Sequence, residues 1–205
     1  MIVRARDICC ASVGILLSAP IVILSAIAVR IESGGPVVFR QTRVGLQGRT
    51  FSIHKLRTMR SVGGGPLVSA MTDTRISRVG RVLRRMKIDE LPQFVDVLRG
   101  DMSLVGPRPE VPEFVELWDS RSREIILSVR PGLTDPASVL FRNEGDLLAE
   151  STCPERTYVE RILPWKVRMY VDYVSNRSVT GDFRIMLETL WVVAFPPRRI
   201  SEELC

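Results

Sequence analysis

An uncharged apolar run near the start of the chain constrains the fold more than any other feature. It covers residues 8–29 and reads ICCASVGILLSAPIVILSAIAV. A helix of that length extends roughly 33 Å, which is enough to cross the hydrocarbon core of a bilayer. A helix buried in a soluble protein normally keeps a polar face, and this run has none. The run therefore predicts a helix that enters a membrane.

Pro20 falls near the middle of this run, two residues after Ser18. Proline removes a backbone donor from a helix and pushes against the carbonyl four residues earlier, and a nearby serine can bond to the loosened backbone. We expect a helix break at Ser18 and Pro20, which makes residues 1–32 a re-entrant membrane segment and residues 33–205 a cytoplasmic domain. Arginines flank the run, and positive residues favour the cytoplasmic side, so a re-entrant path keeps both ends there.

Two other interpretations of the run remain open. A kinked helix that spans the membrane would have the same composition. A cleaved secretory signal is the second, because arginines precede the run and Ala26-Ile27-Ala28 looks like a cleavage site. The run is, however, longer than a usual signal core.

The composition limits the classes of partner. The chain has 205 residues, 45% of them hydrophobic, which is enough for one domain with a core. Its net charge of +6 points to nucleic acid, an anionic membrane surface or a phosphorylated substrate. The four cysteines lack the spacing of metal ligands, and Cys9 and Cys10 are adjacent in the apolar run. They predict neither a zinc site nor a disulfide framework, and a reducing compartment is expected.

The rest of the chain predicts an α/β fold that is mainly helical, with a small β-hairpin. Segments 37–42 and 50–56 are rich in β-formers and flank a turn with two glycines, which is typical of a hairpin. Helices are expected over about 76–86, 89–99, 121–129, 155–174 (interrupted at Pro164) and 181–195, and a flexible loop over 61–70. The first and last of these helices are amphipathic and are expected to lie on the membrane surface, although solvent exposure or core packing would explain them as well.

The stretch KIDELPQFVDVLRGDMSLVGPRPE, residues 87–110, places two adjacent carboxylates after an arginine-rich segment. Asp89 has an ordinary interpretation as a helix N-cap, with Glu90 favourable at the positive helix end. In the chemical interpretation, nearby cations lower the pKa of Asp89, and the ionised carboxylate attacks phosphorus. Glu90 points in another direction and is expected to hold Mg²⁺. Arg108, between two prolines, is a stiff bidentate donor for phosphate.

Four stretches occur in an order and at a spacing that resemble a known family: SGGPVVFRQTRVG, HKLRTM, IDELPQFVDVLRGDMSLVGPRPE and VRPGLTDPAS. The chain resembles the bacterial sugar transferase family, the monotopic phosphoglycosyl transferases that act on polyprenol phosphate, from about residue 4 to about residue 194. The resemblance implies transfer of a phospho-sugar from a UDP-sugar to undecaprenyl phosphate with release of UMP, through a covalent aspartyl-phosphosugar intermediate. This reaction begins the assembly of exopolysaccharide, capsule or O-antigen.

The resemblance also assigns roles to residues. The catalytic nucleophile falls on Asp89, the Mg²⁺ ligand on Glu90, a family lysine on Lys55 and the arginine of the GPRP motif on Arg108. It implies a protein of the bacterial inner membrane, with the catalytic domain on the cytoplasmic face and with a UDP-sugar and undecaprenyl phosphate as partners. The family's helix break matches SAP at residues 18–20. No nucleic-acid partner is expected, and a homo-oligomer is left open.

Two residues outside these assignments are also candidates. Arg130 sits in the rigid turn VRPG and is a candidate phosphate ligand. A late aspartate of the family falls on Tyr170, and Asp172, two positions on and on another helix face, is a candidate substitute. The chain has LTDPASVLFRNE where many members have a GWAQVNGRN stretch, so the donor sugar is not predicted.

Two other functions remain as alternatives. A non-enzymatic membrane adaptor, binding anionic lipid or nucleic acid through basic helices, explains the charge and the apolar helix. It does not explain Asp89, Glu90 and Arg108 together. A transferase that passes on the sugar without its phosphate would release UDP instead of UMP.

Overall fold

The apolar run and the amphipathic patterns of the sequence become helices in the computed structural model, which describes residues 2–60, 65 and 67–195. Over these residues the protein is mainly helical, with a small antiparallel sheet and one apolar N-terminal helix, as the sequence predicts. The helices are α1 (Ile2–Ser33), α2 (Arg78–Arg85), α3 (Phe94–Arg99), α4 (Pro112–Val115), α5 (Ser120–Leu127), α6 (Pro136–Leu140), α7 (Glu144–Ala149), α8 (Pro154–Thr157), α9 (Leu163–Ser175) and α10 (Val179–Ala194). The strands are β1 (Val38–Val44), β2 (Thr50–Leu56), β3 (Ser103–Val105) and β4 (Gly132–Thr134).

Helix α1 is long and apolar enough to cross a membrane, with a mean hydropathy of 2.4 over its best window, and 11% of that window is buried. A core helix of a soluble protein would be mostly buried. Few residues of helix α1 are buried, so its apolar surface needs another apolar environment. The helix continues through Pro20 without a gap, and the Ser18 hydroxyl lies 3.5 Å from the Ile15 carbonyl oxygen that it faces. Whether the helix turns back in a membrane remains a prediction.

The buried residues of α1 lie toward its two ends, while much of its middle is exposed. The buried residues of α1 are Asp7, Ala11, Ser25 and Val29, two near each end. At the first end, the Arg4 guanidinium donates to two carbonyl groups at the end of α3. At the other end, the Glu32 carboxylate accepts the first two backbone N–H groups of α2, at 2.8 and 3.0 Å. The two ends of α1 therefore lie against the same domain.

A buried polar cluster joins α1 to the last helix. The Arg6 guanidinium donates to Asp182 of α10 at 2.7 Å and to Asp7 at 2.9 Å. Asp7 in turn accepts from the Ser103 hydroxyl at 2.6 Å, and Asp182 accepts from the Tyr173 hydroxyl at 2.7 Å. Because each carboxylate is paired and hydrogen-bonded, the burial of these charges is compensated. The cluster holds α1 and α10 next to each other.

The predicted hairpin is confirmed. Strands β1 and β2 pair antiparallel, from Val38 opposite Leu56 to Val44 opposite Thr50. A short 3₁₀ turn, Leu46–Gly48, connects them, and Gly48 takes the left-handed conformation with φ 76°. Glycine adopts this conformation without steric cost, which explains Gly48 in the predicted turn.

A second, parallel strand pair was not predicted from the sequence. Strands β3 and β4 pair Ser103 with Gly132 and Val105 with Thr134. At the end of β3, a Cβ atom on Gly106 would lie 2.6 Å from the Arg130 carbonyl oxygen, so this approach requires glycine. The N–H of Gly132 donates to the Pro107 carbonyl at 2.9 Å, which ties the backbone before Arg108 to the start of β4. The pair therefore fixes the position of the GPRP motif.

The predicted helices are found, with differences in detail. Segment 89–99 is a 3₁₀ turn, Ile88–Gln93, followed by α3, because Pro92 cannot donate a helical hydrogen bond. Segment 155–174 is α8 and α9, and the interruption predicted at Pro164 takes the form of a π-helical turn over Tyr158–Ile162, just before that proline. The helices α4, α6 and α7 were not predicted. The predicted loop over 61–70 lies in part outside the described residues.

Candidate active site

A cavity of about 880 Å³ lies between the hairpin, the segment from α2 to α3, the α6–α7 region and α10. Its volume is in the range of small-molecule sites, roughly 300–1,000 Å³. Four of the predicted site residues line this cavity: Lys55, Asp89, Glu90 and Arg108. They come from β2, the 3₁₀ turn and the segment after β3, so the fold brings together residues that are far apart in sequence.

Glu90 is the centre of an ion-pair cluster at the cavity. Its carboxylate accepts from the Lys55 ammonium at 2.9 Å and from both terminal nitrogens of Arg108, one of them at 3.2 Å. Burial alone would raise the pKa of Glu90, but the charges of Arg108, Lys55 and Lys87 outweigh it and hold that pKa well below its usual range. Glu90 is therefore ionised and paired, and Arg108 makes the bidentate contact expected of it with this carboxylate.

Asp89 has a different environment from its neighbour. It is buried, with 7% of its surface exposed, and its Oδ1 atom has no hydrogen-bond partner among the described residues. Buried carboxylate oxygens are normally satisfied, and the exceptions are concentrated at functional sites. Asp89 lines the cavity, so its free oxygen is available to a ligand there.

The expected lowering of the Asp89 pKa is wrong. Burial raises the pKa of Asp89, the adjacent charge of Glu90 raises it further, and Lys55, Lys87 and Arg84 oppose this shift without cancelling it. The sequence argument counted the nearby cations but not desolvation or the neighbouring carboxylate, and both favour the protonated form. The cations neutralise mainly Glu90, which leaves Asp89 the less acidic member of the pair.

The N-cap interpretation of Asp89 is also wrong. The residue before the 3₁₀ turn is Lys87, which has φ 57° and ψ 19° and makes no side-chain capping bond. A left-handed conformation is costly for a residue with a side chain, and such residues are frequent at functional sites. Lys87 also lines the cavity. Its backbone conformation turns the chain just before Asp89 and Glu90.

The pKa of Lys55 is lowered toward neutral pH. Burial lowers its pKa to about 8, against the opposing effect of Glu90. The charge of Glu90 has the reverse effect on Arg108, whose pKa it raises while burial opposes it. Both cations are positively charged at neutral pH, and together they make the cavity suitable for a phosphorylated ligand.

Two other segments contribute cations to the cavity lining. Arg84 and Arg85 of the basic helix α2, which the sequence places near the Asp89 carboxylate, line the cavity, whereas sequence reasoning missed the second segment. Arg142, after α6, also lines it, and its Nε atom is buried without a partner among the described residues. Arg142 belongs to FRNE, and the GWAQVNGRN stretch of many members of the resembled family contains the same Arg-Asn pair. This Arg-Asn dipeptide could have identified Arg142 from the sequence.

Arg130 lies apart from this cluster. Its side chain is exposed, its Nε atom donates to the Gly100 carbonyl at 2.9 Å, and it is not among the residues that line the cavity. Its position gives no support to a role in phosphate binding at this site, which remains a prediction. The VRPG turn instead contributes backbone to the β3–β4 pair.

Asp172 and Tyr170 lie on different faces of α9. Asp172 is exposed and outside the cavity lining, so its predicted role as a substitute for the family aspartate has no support from its position. Tyr170 is fully buried, and its hydroxyl has no hydrogen-bond partner within the described part of the chain. Burial raises its pKa well above the usual value, so the hydroxyl is neutral.

The carboxylate pair fits a magnesium ion that shares its ligands with a substrate. The described residues contain no group of three or more acidic, histidine or cysteine side chains that would form a closed metal site. Mg²⁺ in phosphoryl-transfer sites is commonly held by one or two carboxylates and by substrate phosphates. Glu90 and the free oxygen of Asp89 are donors of this kind, so the residues present fit the ion.

The family model described as "Bacterial sugar transferase" matches residues 1–196. The chain belongs to the bacterial sugar transferase family. The match includes α1 and every residue of the carboxylate and cation cluster. Membership in an enzyme family does not favour the alternative of a non-enzymatic membrane adaptor.

Three curated relatives illustrate the range of the family. A UDP-glucose:undecaprenyl-phosphate glucose-1-phosphate transferase of Caulobacter vibrioides is 40% identical over 91% of this chain and 67% of its own length. A UDP-N-acetylgalactosamine-undecaprenyl-phosphate N-acetylgalactosaminephosphotransferase of Aeromonas hydrophila is 39% identical over 91% of this chain and 42% of its own length. The exopolysaccharide production protein ExoY of Rhizobium meliloti is 33% identical over 91% and 83%. The chain thus spans about two thirds of the first relative and less than half of the second.

Proposed function

We propose that this protein transfers a phospho-sugar from a UDP-sugar to undecaprenyl phosphate, releasing UMP and initiating the assembly of a lipid-linked glycan for exopolysaccharide, capsule or O-antigen. The observation that carries the proposal is Asp89, whose carboxylate has a buried Oδ1 atom without a partner among the described residues and which lines a cavity together with Lys55, Glu90 and Arg108. The names of two relatives, which specify UDP-sugars and undecaprenyl phosphate, support the substrates. These two relatives differ in their sugar, so the donor sugar stays open.

The reaction proceeds in two displacements at phosphorus. The Asp89 carboxylate attacks the phosphorus that carries the sugar, an O–P bond forms, and the bond to the bridging oxygen breaks, so UMP leaves with its electron pair. An oxygen of the lipid phosphate then attacks the same phosphorus, and the bond to Asp89 breaks. The lipid diphospho-sugar leaves, and the carboxylate is restored. Covalent catalysis of this kind divides one transfer between two substrates into two steps.

The cations of the cavity bind and orient the charged groups in both steps. Lys55 and Arg108 pair with Glu90, and both line the cavity that would receive the diphosphate. Arg142 has an unpartnered Nε atom in the same cavity. Positive groups fixed in a partly buried site stabilise charge that develops in a transition state more strongly than they would in water.

Glu90 and Asp89 are the groups that would hold Mg²⁺. The ion supplies positive charge that offsets the charge of the diphosphate. Glu90 would then no longer be fully occupied by Lys55 and Arg108, and both cations would be free to contact phosphate. The low pKa of Glu90 keeps it ionised for this role at any pH near neutrality.

We further propose a re-entrant path for α1, with the catalytic domain on the cytoplasmic face of the inner membrane. A straight spanning helix would place its ends on opposite sides, yet Arg4 and Glu32, near the two ends, both bind the same domain. The middle of α1 carries exposed apolar residues, including Leu16 and Leu17 at 75% and 78% exposure. These contacts support the re-entrant path, while α1 itself is continuous through Ser18 and Pro20, so the helix break there remains part of the proposal. The absence of a nucleic-acid partner remains an expectation, and oligomerisation stays open.

Nucleotide release tests the reaction. Detergent-solubilised protein is incubated with undecaprenyl phosphate, Mg²⁺ and a panel of UDP-sugars, and UMP is separated from UDP. UMP that forms only with the lipid acceptor and is lost in Asp89→Asn supports the proposal. UDP as the product would mean that the sugar moves without its phosphate. Neither nucleotide, from folded protein across the panel, would contradict the proposed donor class.

Labelling of single cysteines tests the membrane path. Cysteines introduced near residues 4 and 32, in a background without the native cysteines, are treated with a membrane-impermeant reagent in intact cells and in inverted vesicles. A re-entrant helix predicts labelling of both positions from the cytoplasmic side only. Labelling from opposite sides would show a spanning helix.

A further inference from the structure

Helix α10 contributes one apolar stripe to the cavity. Met186, Leu190 and Val193 line the cavity, at positions i, i+4 and i+7 of the helix, which places them on one face. Thr189, between them, also lines it and bonds to the Thr134 hydroxyl at 2.6 Å, which fixes the rotation of α10 against β4. This stripe is part of the site and is not used by the proposed chemistry.

The apolar part of the cavity begins next to the carboxylate pair. Phe94, five residues after Asp89, lines the cavity together with Leu104 and Leu133. These three residues pack in the same hydrophobic cluster as Met186 of α10. The cavity therefore has a charged part, around the catalytic carboxylates, and an apolar part that extends to α10.

The apolar part is open to the outside. Leu190 and Val193 line the cavity and are nevertheless 67% and 38% exposed. The neighbouring positions on the outer side of α10 are also apolar and exposed, with Leu187 at 64% and Trp191 at 65%. The cavity thus opens at an apolar surface of the protein, on the helix whose first turn is joined to the start of α1 by the Arg6–Asp182 ion pair.

We propose that the stripe of Met186, Leu190 and Val193 binds the first isoprene units of the lipid acceptor and guides its chain from the catalytic site to the membrane. This inference rests on the proposed function. The occupant follows from the two parts of the cavity, because an amphiphile with an anionic phosphate and an apolar chain matches both. A UDP-sugar is polar along its whole length, so it would gain nothing from contact with this stripe.

The test compares two matched double variants of α10. Leu190→Gln/Val193→Asn changes the stripe that lines the cavity. Leu187→Gln/Val179→Asn makes the same two chemical changes at positions that are exposed to a similar degree, 64% and 45%, and do not line the cavity. Both variants lower the apolarity of the same helix, so a general loss of membrane attachment affects them equally.

Three quantities are measured for each variant: the KM for undecaprenyl phosphate, the KM for the UDP-sugar, and binding to vesicles of phosphatidylethanolamine and phosphatidylglycerol. We expect the cavity-lining variant to raise the acceptor KM by about tenfold or more, since two apolar contacts are lost. The donor KM and vesicle binding should match those of the control variant. An equal rise in both variants, or no rise in the first, would overturn the inference.

A binding measurement separates failure of this inference from failure of the proposed function. An isoprenyl phosphate with a photoreactive group in its first isoprene unit is crosslinked to Asp89→Asn, and the modified peptide is identified. Crosslinks to residues 186–193 support the stripe even if the wild-type protein releases no UMP, which would count against the reaction alone. Crosslinks only elsewhere would exclude the stripe while leaving UMP release, and therefore the reaction, unaffected.

Discussion

The Lys55 ammonium lies 2.9 Å from the Glu90 carboxylate and joins strand β2 to the 3₁₀ turn that carries Asp89 and Glu90. The same strand makes a second connection from its other side. The His54 backbone N–H donates to Asp96 of α3 at 3.0 Å, and its ring nitrogen lies 2.5 Å from the same carboxylate. Two adjacent residues of β2 thus hold the segment from Asp89 to α3 from opposite faces of the strand, which sets the distance between Lys55 and the carboxylates.

Lys55 should determine the alkaline limb of the pH profile. Burial lowers its pKa to about 8, so the ammonium loses its charge as the pH rises through that value, and we expect kcat/KM for the donor to fall there. The folded pKa is below the unfolded one, so the unfolded state binds more protons between them, and this group favours folding as the pH rises. Lost activity in this range is therefore not lost structure.

The Lys55→Arg variant provides the check on this assignment. A guanidinium remains charged at pH 8, so the variant should lose the alkaline limb near pH 8 even if its activity is lower throughout. UMP release is measured from pH 6 to pH 10 in both proteins. An unchanged limb in the variant would assign the titration to another group.

Asp89→Asn should remove activity without reducing stability. We expect turnover to fall by about 10⁴-fold or more, as for the loss of a catalytic nucleophile. Burial and Glu90 raise the pKa of Asp89 above its unfolded value, so the ionised carboxylate disfavours the folded state at neutral pH. A neutral amide removes that cost, and the thermal midpoint at pH 7.5 should equal or exceed that of the wild type.

Asp101→Asn, at an exposed position outside the cavity, serves as the control and should change neither quantity. Stability and turnover are measured on the same preparation by thermal unfolding and UMP release. A clearly lower midpoint in Asp89→Asn would mean that the charge of Asp89 stabilises the fold, against the direction of its pKa shift.

Glu90→Gln should weaken the affinity for Mg²⁺ and lower the rate. The amide is a poorer ligand for Mg²⁺ and leaves Lys55 and Arg108 without their shared carboxylate, so we expect turnover to fall by about 100-fold or more. The Mg²⁺ concentration that gives half-maximal UMP release should rise. Glu113→Gln, at an exposed position, is the control. Wild-type activity that persists in excess chelator would exclude a magnesium requirement altogether.

The elements that the sequence predicted well are those with strong local signals. The hairpin has β-formers and a glycine turn, and α1 is marked by its uninterrupted apolar run. The strands β3 and β4 have three residues each and are separated by α4 and α5, so their pairing depends on contacts that no local pattern reports. Even so, that pairing positions Arg108.

The site residues divide in the same way, into those that a local motif identifies and those whose position or pKa depends on the fold. Residue chemistry pointed to Asp89, Glu90 and Arg108, the family resemblance added Lys55, and the fold brings these four together. The direction of the Asp89 pKa shift was missed because it depends on burial, which a list of neighbouring charges does not contain. Arg142 was missed because it lies between α6 and α7, two short helices that the sequence did not indicate and that place it at the site.

A final prediction concerns the contact between the membrane helix and the site. A Cβ atom on Gly14 of α1 would lie 2.9 Å from the ring of Phe94, which lines the cavity. Alanine stabilises an isolated helix relative to glycine by about 1 kcal/mol, whereas overpacking costs about 1–3 kcal/mol. Gly14→Ala should therefore lower the thermal midpoint and slow UMP release, because the displaced ring shifts the segment that follows Asp89.

Phe94→Leu in the Gly14→Ala background tests this contact as a double-mutant cycle. The smaller side chain leaves room for the added methyl group, so the double variant should be more stable and more active than the sum of the two single changes. Leu16→Ala, at a position that is 75% exposed on the same helix, is the control for changes in the apolar surface of α1. Additive effects of Gly14→Ala and Phe94→Leu would show that the membrane helix does not act on the site through this ring.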